Sequence, residues 1–126
     1  MGWSRSLDGF ADQVEKDLTQ RQKDIAAYAL QQVITGSPVQ DGTYRGNHRV
    51  TVNSQTRDYD LSIAGKSGQQ TLFEGMQIIG RISRPFGSVT IQNNVPYGER
   101  LENGWSGQAP AGVYGVAEQS TKERFK

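Results

Sequence analysis

The chain has no cysteine and a single histidine, His48. Without thiols there is no disulfide, no thiol nucleophile and no thiolate metal site, which suits a reducing compartment. One imidazole leaves at most one histidine base and argues against a zinc hydrolase, whose ligand set draws on several His or Cys. Long apolar runs are missing too: nothing approaches the roughly 18 residues of a membrane span. The opening residues Met1-Gly2-Trp3-Ser4-Arg5-Ser6 lead into polar sequence, so no secretory h-region is expected. Charge of one sign is also lacking. Fourteen Lys and Arg stand against 13 Asp and Glu, and a net charge of +1 projects no field towards nucleic acid. Core-forming residues are scarce as well. The hydrophobic class holds 34% of the 126 residues, and Leu, Ile, Val and Phe make up about 21%, just above the level at which disorder becomes the default.

What remains is enough for one domain spanning 1–126. The clearest periodic signal lies over 7–35. Leu7, Phe10, Ala11, Val14, Leu18, Ile25, Ala29 and Val33 recur at helical spacing, with charged and amide residues between them. Ser4 or Ser6 can cap the start, and Gly36 followed by Ser37-Pro38 predicts the stop, the glycine by taking the left-handed conformation. About 28 residues at 1.5 Å each give a helix near 42 Å. A compact domain of this size is only about 36 Å across. The helix must therefore kink near its polar patch Thr19–Asp24 or project beyond the body, and a projecting amphipathic helix favours a partner.

The stretch 44–118 reads as an α+β body. Asp41-Gly42 marks a turn. Arg49–Asn53 and Asp58–Ala64 alternate as strands, the second with Tyr59, Leu61 and Ile63 on one side, and can form a hairpin. Ser67 and Gln70 have capping-box spacing before a short helix over 68–82, which Gly75 and Gly80 weaken by about 1 kcal/mol each relative to Ala. Pro85-Phe86-Gly87 resets the chain, and Ser88–Asn93 is a further strand. Asn94-Val95-Pro96 is extended, Tyr97–Glu102 fits one or two helical turns, and Asn103-Gly104 ends them. Val113–Glu118 fits a strand or a short helix, and 119–126 reads as a flexible, charged tail. The expected architecture is a long N-terminal helix packed on a small, mostly antiparallel sheet with one or two short helices.

No catalytic constellation emerges. His48 has no Gly-x-Ser-x-Gly elbow to serve. Glu99 and Glu102 flank Arg100 in one turn, whereas glycosidase carboxylates face each other across a sugar cleft. The glycines from Gly98 to Gly115 match neither the dinucleotide nor the phosphate-loop spacing. No cofactor or metal is expected. Arg45, Arg49, Arg57, Lys66, Arg81 and Arg84 are dispersed through the middle; converging, they would contact phosphate, with Tyr44 and Tyr59 free to stack.

Two blocks carry a resemblance. Ser37-Pro38-Val39-Gln40-Asp41-Gly42-Thr43-Tyr44-Arg45-Gly46-Asn47 resembles the Ser/Thr-Pro-Val-x-Thr-Gly-x-(aromatic or Leu)-Arg stretch of neck and tail-completion proteins in long-tailed phages, head–tail connectors related to the lambda-type minor tail protein Z. Ile91-Gln92-Asn93-Asn94-Val95-Pro96-Tyr97-Gly98-Glu99-Arg100-Leu101-Glu102-Asn103-Gly104-Trp105-Ser106, followed by Gln108-Ala109-Pro110-Ala111-Gly112-Val113, is similar to that family's Pro-Tyr and Ala-Pro blocks. Gln40-Asp41 replaces the usual acidic-Thr pair, His48 stands where Trp is common, and Gly98 replaces Ala. The resemblance spans about 7–118 in layout.

It implies a structural virion protein, made in the bacterial host cytoplasm and built into the neck or tail. Such a protein acts at head–tail joining with no turnover and no membrane. Its partners would be tail-terminator and head-completion proteins and further copies of itself in a ring, with incidental contact to phage DNA. The expected interface comprises Tyr44, Arg45, Pro96, Tyr97, Leu101, Glu102, Trp105, Gln108 and Pro110, with the long helix contributing. The alternative is a DNA- or scaffold-binding module using the central arginines.

Overall fold

A computed structural model describes residues 2–40, 42–85 and 87–126, with side chains from Ala11 onward. Asp41 of the expected Asp41-Gly42 turn and Phe86 of the Pro85-Phe86-Gly87 reset lie outside the described residues, as do the side chains of Leu7 and Phe10.

The expected α+β architecture is present. Helix α1 spans Gly2–Thr35. It begins before Ser4 and Ser6, so neither residue caps it, and it continues without a break through Thr19–Asp24. Thirty-four residues make it about 51 Å long. Every residue from Ala11 to Leu18 is exposed, while Ala26, Leu30, Val33 and Ile34 are buried, so the C-terminal half carries the core contacts and the other half runs past the body. The stop differs from expectation at Gly36, which is not left-handed. The Ser37 hydroxyl donates to the Val33 carbonyl, and Pro38 ends the ladder.

Strands β1 (His48–Val52) and β2 (Val89–Asn93) form one two-stranded antiparallel sheet with Val50 opposite Ile91. The predicted pairing of 49–53 with 58–64 is not made. Between 54 and 64 the chain is held by side chains rather than by a ladder. The fully buried Asn47 amide donates to the carbonyls of Thr43 (2.7 Å) and Asp60 (2.9 Å) and accepts from Asp60 N–H (2.7 Å). Gln92 likewise brackets Thr56, donating to its carbonyl (2.6 Å) and accepting from its N–H (3.2 Å). With its backbone groups taken this way, the segment forms no strand, and Tyr59 and Leu61 face solvent instead of the core.

Helix α2 (Gln69–Gly80) follows, connecting β1 to β2. Its capping box is not made: Gly68 is the cap residue, at φ 72°, and Ser67 Oγ accepts from Gln69 N–H instead (3.3 Å). A β-carbon on Gly68 would strike Ile34, so this left-handed turn also brings α2 close to α1. Helix α3 is the short Gly98–Glu102 turn, and α4 (Tyr114–Arg124) resolves the strand-or-helix ambiguity at 113–118.

The expected flexible tail is a correction. Residues 119–124 are the second half of α4, which packs on α1. The Tyr28 hydroxyl is 2.8 Å from Ser120 Oγ, and the Tyr28 and Phe125 rings meet edge-on at 5.7 Å. One apolar cluster joins these elements, with Leu30, Ile79 and Val113 fully enclosed. Helix α1 packs on α2 and α4 and faces β2 across an open groove.

Candidate functional site

The two sequence blocks singled out above lie side by side. Asn93, at the end of β2, donates to the Tyr44 carbonyl (2.8 Å), and Gln108 accepts from Val39 N–H (2.9 Å). A β-carbon on Gly98, which starts α3, would lie 3.8 Å from the Tyr44 ring. A shallow cleft of about 300 Å³ opens between them, bordered by Tyr44, Asn93, Gly98, Glu99, Glu102 and Tyr114.

Beneath the cleft runs a chain of buried polar groups. His48 is 3% exposed, and its two nitrogens lie 2.6 Å from Ser37 Oγ and 2.7 Å from the Tyr114 hydroxyl. The direction of the protons follows from its end. Ser37 has one hydroxyl proton and gives it to the Val33 carbonyl, which can only accept. His48 Nε2 must therefore carry a proton and donate to Ser37, while Nδ1 accepts from Tyr114. The imidazole is neutral. Burial drives its pKa down to about 3, reinforced by the positive charges of Arg45 and Arg49. An imidazole that donates to a serine does not take its proton, so this pair is not an activated nucleophile. Burial also raises the Tyr44 and Tyr114 phenols well above their usual range. The sequence offered no sign of this chain, because its members join the end of α1, the start of β1 and the start of α4.

Glu102 serves a different purpose from the expected one. Its carboxylate accepts the N–H groups of Val113 (3.0 Å), Tyr114 (2.9 Å) and Gly115 (2.9 Å), three unpaired donors at the start of α4. Partial burial pushes the carboxyl up, but the backbone donors of Gly115, Tyr114 and Val113 outweigh it and hold it below its usual range. Glu102 therefore fastens α3 to α4 within the chain.

The other predicted interface residues divide. Tyr44 is buried, which corrects its assignment to the surface. Arg45 also turns inward: its guanidinium donates to the carbonyls of Ser37 (2.8 Å), Lys66 (3.1 Å) and Thr35 (3.3 Å) and ties the end of α1 to the loop before α2, where a contact for a partner was expected. Tyr97 and Leu101 are half-buried against the core. Pro96, Gln108 and Pro110 are exposed. Trp105 stands furthest out, at 72% exposure, with the Arg100 guanidinium 5.1 Å from its ring. Arg100 was not among the predicted residues; its spacing from Trp105 matched no motif.

Comparison with family models, curated proteins and solved structures finds no match.

Of the central basic residues, Arg45 is committed to carbonyls and Arg49 to Asp58 (3.4 Å), leaving Arg57, Lys66, Arg81 and Arg84 exposed. Among the described residues no cluster of His, Asp and Glu is arranged to hold a metal ion, and no helix is long and apolar enough to cross a membrane. On the outside the arrangement presents turns with one exposed aromatic, Trp105.

Proposed function

We propose that the chain is a structural virion protein of a long-tailed phage, acting at the junction between head and tail. The observation that carries this reading is the convergence of its two family-like blocks. Segments 37–47 and 91–113 are distant in sequence, yet they buttress each other and present Pro96, Trp105, Gln108 and Pro110 on the outside. Large aromatics on rigid turns are frequent anchors of protein interfaces, and Trp105 over Arg100 has that character. The mechanism is stoichiometric. Copies join a ring-like neck or tail end through head-to-tail contacts that close by rotation, next to terminator and head-completion proteins.

The DNA- or scaffold-binding alternative rests on fewer groups, since Arg45 and Arg49 are occupied inside the molecule. Retention of duplex DNA on a filter at low salt would favour it.

Complementation in the phage or prophage that encodes the chain tests the proposal. Deletion is expected to leave filled heads and tails unjoined, and wild-type protein supplied in trans to restore infectious particles. Trp105→Ala, folded as judged by circular dichroism, is expected not to restore them. Normal particle yield after deletion overturns the function, and normal yield with Trp105→Ala overturns the interface.

A further inference from the structure

Trp105 does not line the groove between α1 and β2. On one side stand Leu18, Ile25, Ala29 and Val33 of α1; opposite them are Val89 and Ile91 of β2. Ala117 of α4 and Phe125, just past the end of α4, line one half of the groove. Its two adjoining halves measure about 520 and 500 Å³, and their walls are mainly apolar. Beyond Leu18 the same stripe of α1 continues at helical spacing through Val14 and Ala11, and in the sequence through Phe10, Leu7 and Trp3. Of the described residues on this stretch, Val14 is 39% exposed and Leu18, at the mouth of the groove, 41%. The molecule thus carries an apolar ridge and an apolar groove on one helix, meeting at Leu18.

We propose that the groove of each chain is filled by the N-terminal half of α1 from a second copy, in a reciprocal antiparallel pair whose two-fold axis passes near Leu18. Length supports this. Leu18 to Val33 and Trp3 to Leu18 are equal steps along the helix, about 22 Å each, so ridge and groove match when one α1 is turned end for end on the other. In that register the positions of Ala11 and Leu7 of the second copy fall opposite Ile25 and Ala29. The small alanines let the helix axes approach closely.

Charge supports it as well. The N-terminal half carries Asp8, Asp12, Glu15 and Asp17 against Arg5 and Lys16, a net negative charge. The groove is bordered by Arg21 and Lys122, with Glu118 as its acid, and Glu118 already pairs with Lys122 at 2.8 Å. Arg21 reaches the Phe125 carbonyl (3.1 Å) but, among the described residues, has no carboxylate partner. Asp17 of the second copy comes beside Arg21 on the same flank of the helix pair. The contact is isologous, each surface serving its twin, so it closes at two copies and leaves the Trp105 surface free.

Light scattering over a concentration series tests the pair, together with cross-linking, which a chain without cysteine makes unambiguous. Wild type is expected to show twice the mass of one chain. The double variant Val14→Glu, Leu18→Glu changes only exposed positions, and it is expected to give a monomer with unchanged circular dichroism. Leu18→Cys is expected to oxidise to a covalent dimer, whereas Gln31→Cys, exposed on the opposite face of α1, is not. A wild-type monomer at every concentration overturns the proposal. So does an assembly that survives the double variant, or one in which Leu18→Cys fails to cross-link.

Discussion

Gly75 of α2 lies directly against Leu30 of α1, so close that a β-carbon on Gly75 would overlap Leu30 Cδ2 and sit 3.0 Å from Val50 Cγ2. Three elements of the core meet at this point, and only a missing side chain lets them. Gly80, five residues on, has nothing within reach of such a carbon and keeps a negative φ. The two glycines carry the same intrinsic helix penalty, so the same substitution should have opposite effects. Gly75→Ala is expected to cost about 1–3 kcal/mol through overpacking, despite its gain in helix propensity. Gly80→Ala is expected to add about 0.5–1 kcal/mol. Urea denaturation of the two variants decides it, and equal shifts of one sign would contradict the packing described.

His48 makes stability depend on pH. In the fold its pKa is about 3, and in the unfolded chain it returns to about 6.5. Between these values the unfolded chain binds a proton that the folded chain refuses, so stability rises with pH across the interval. The contribution is complete above about pH 6.5 and falls by roughly 1.4 kcal/mol per unit below it, or about 2 kcal/mol by pH 5. His48→Asn breaks the Ser37–Tyr114 connection and is expected to be less stable at neutral pH. Its stability should nevertheless hardly change between pH 7 and 5. A wild-type curve flat over the same range would rule out the neutral buried imidazole.

The contrast between Gly75 and His48 marks what could be read from the sequence. Helix α1, α2, both strands and the α3 turn were legible, because each advertises itself through local periodicity or a local stop. Gly75 was visible only as a poor helix former; the Leu30 contact that gives it a purpose links residues 45 positions apart. The segment 54–64 failed for a related reason. Its alternation of Tyr59, Leu61 and Ile63 imitates a strand, but Asn47 and Gln92 had already claimed its backbone groups with their side chains. Helix α4 was hidden by its charge. Its N-terminus is made by Glu102, a residue outside the helix, so no capping motif appears at 113–114. At the candidate site, exposure separated Trp105, Pro96, Gln108 and Pro110 from the inward-turned Tyr44, Arg45 and Glu102, and exposure is set by tertiary packing alone.

Glu102 is expected to behave as a helix cap supplied from elsewhere in the chain. Glu102→Ala removes the acceptor for three N–H groups and is expected to cost about 1–2 kcal/mol, in the range of a lost N-cap. Glu102→Gln keeps one neutral acceptor and is expected to lose less. The damage should begin at the start of α4: the amides of Val113, Tyr114 and Gly115 should lose hydrogen-exchange protection before those of α2. Acid should act here in a window of its own. The folded carboxyl titrates below its usual range, so its contribution is present above the ordinary carboxylate pKa and is lost as pH falls through the lower, folded value. Wild type should therefore weaken in two stages, first as His48 is forced to charge and later as Glu102 is neutralised. His48→Asn should abolish the upper stage, and Glu102→Gln should reduce the lower, to which Asp60 and Glu118, also held below their usual range, contribute. Loss of both stages in either single variant would mean that the two groups titrate as one unit, contrary to the separate partners each holds.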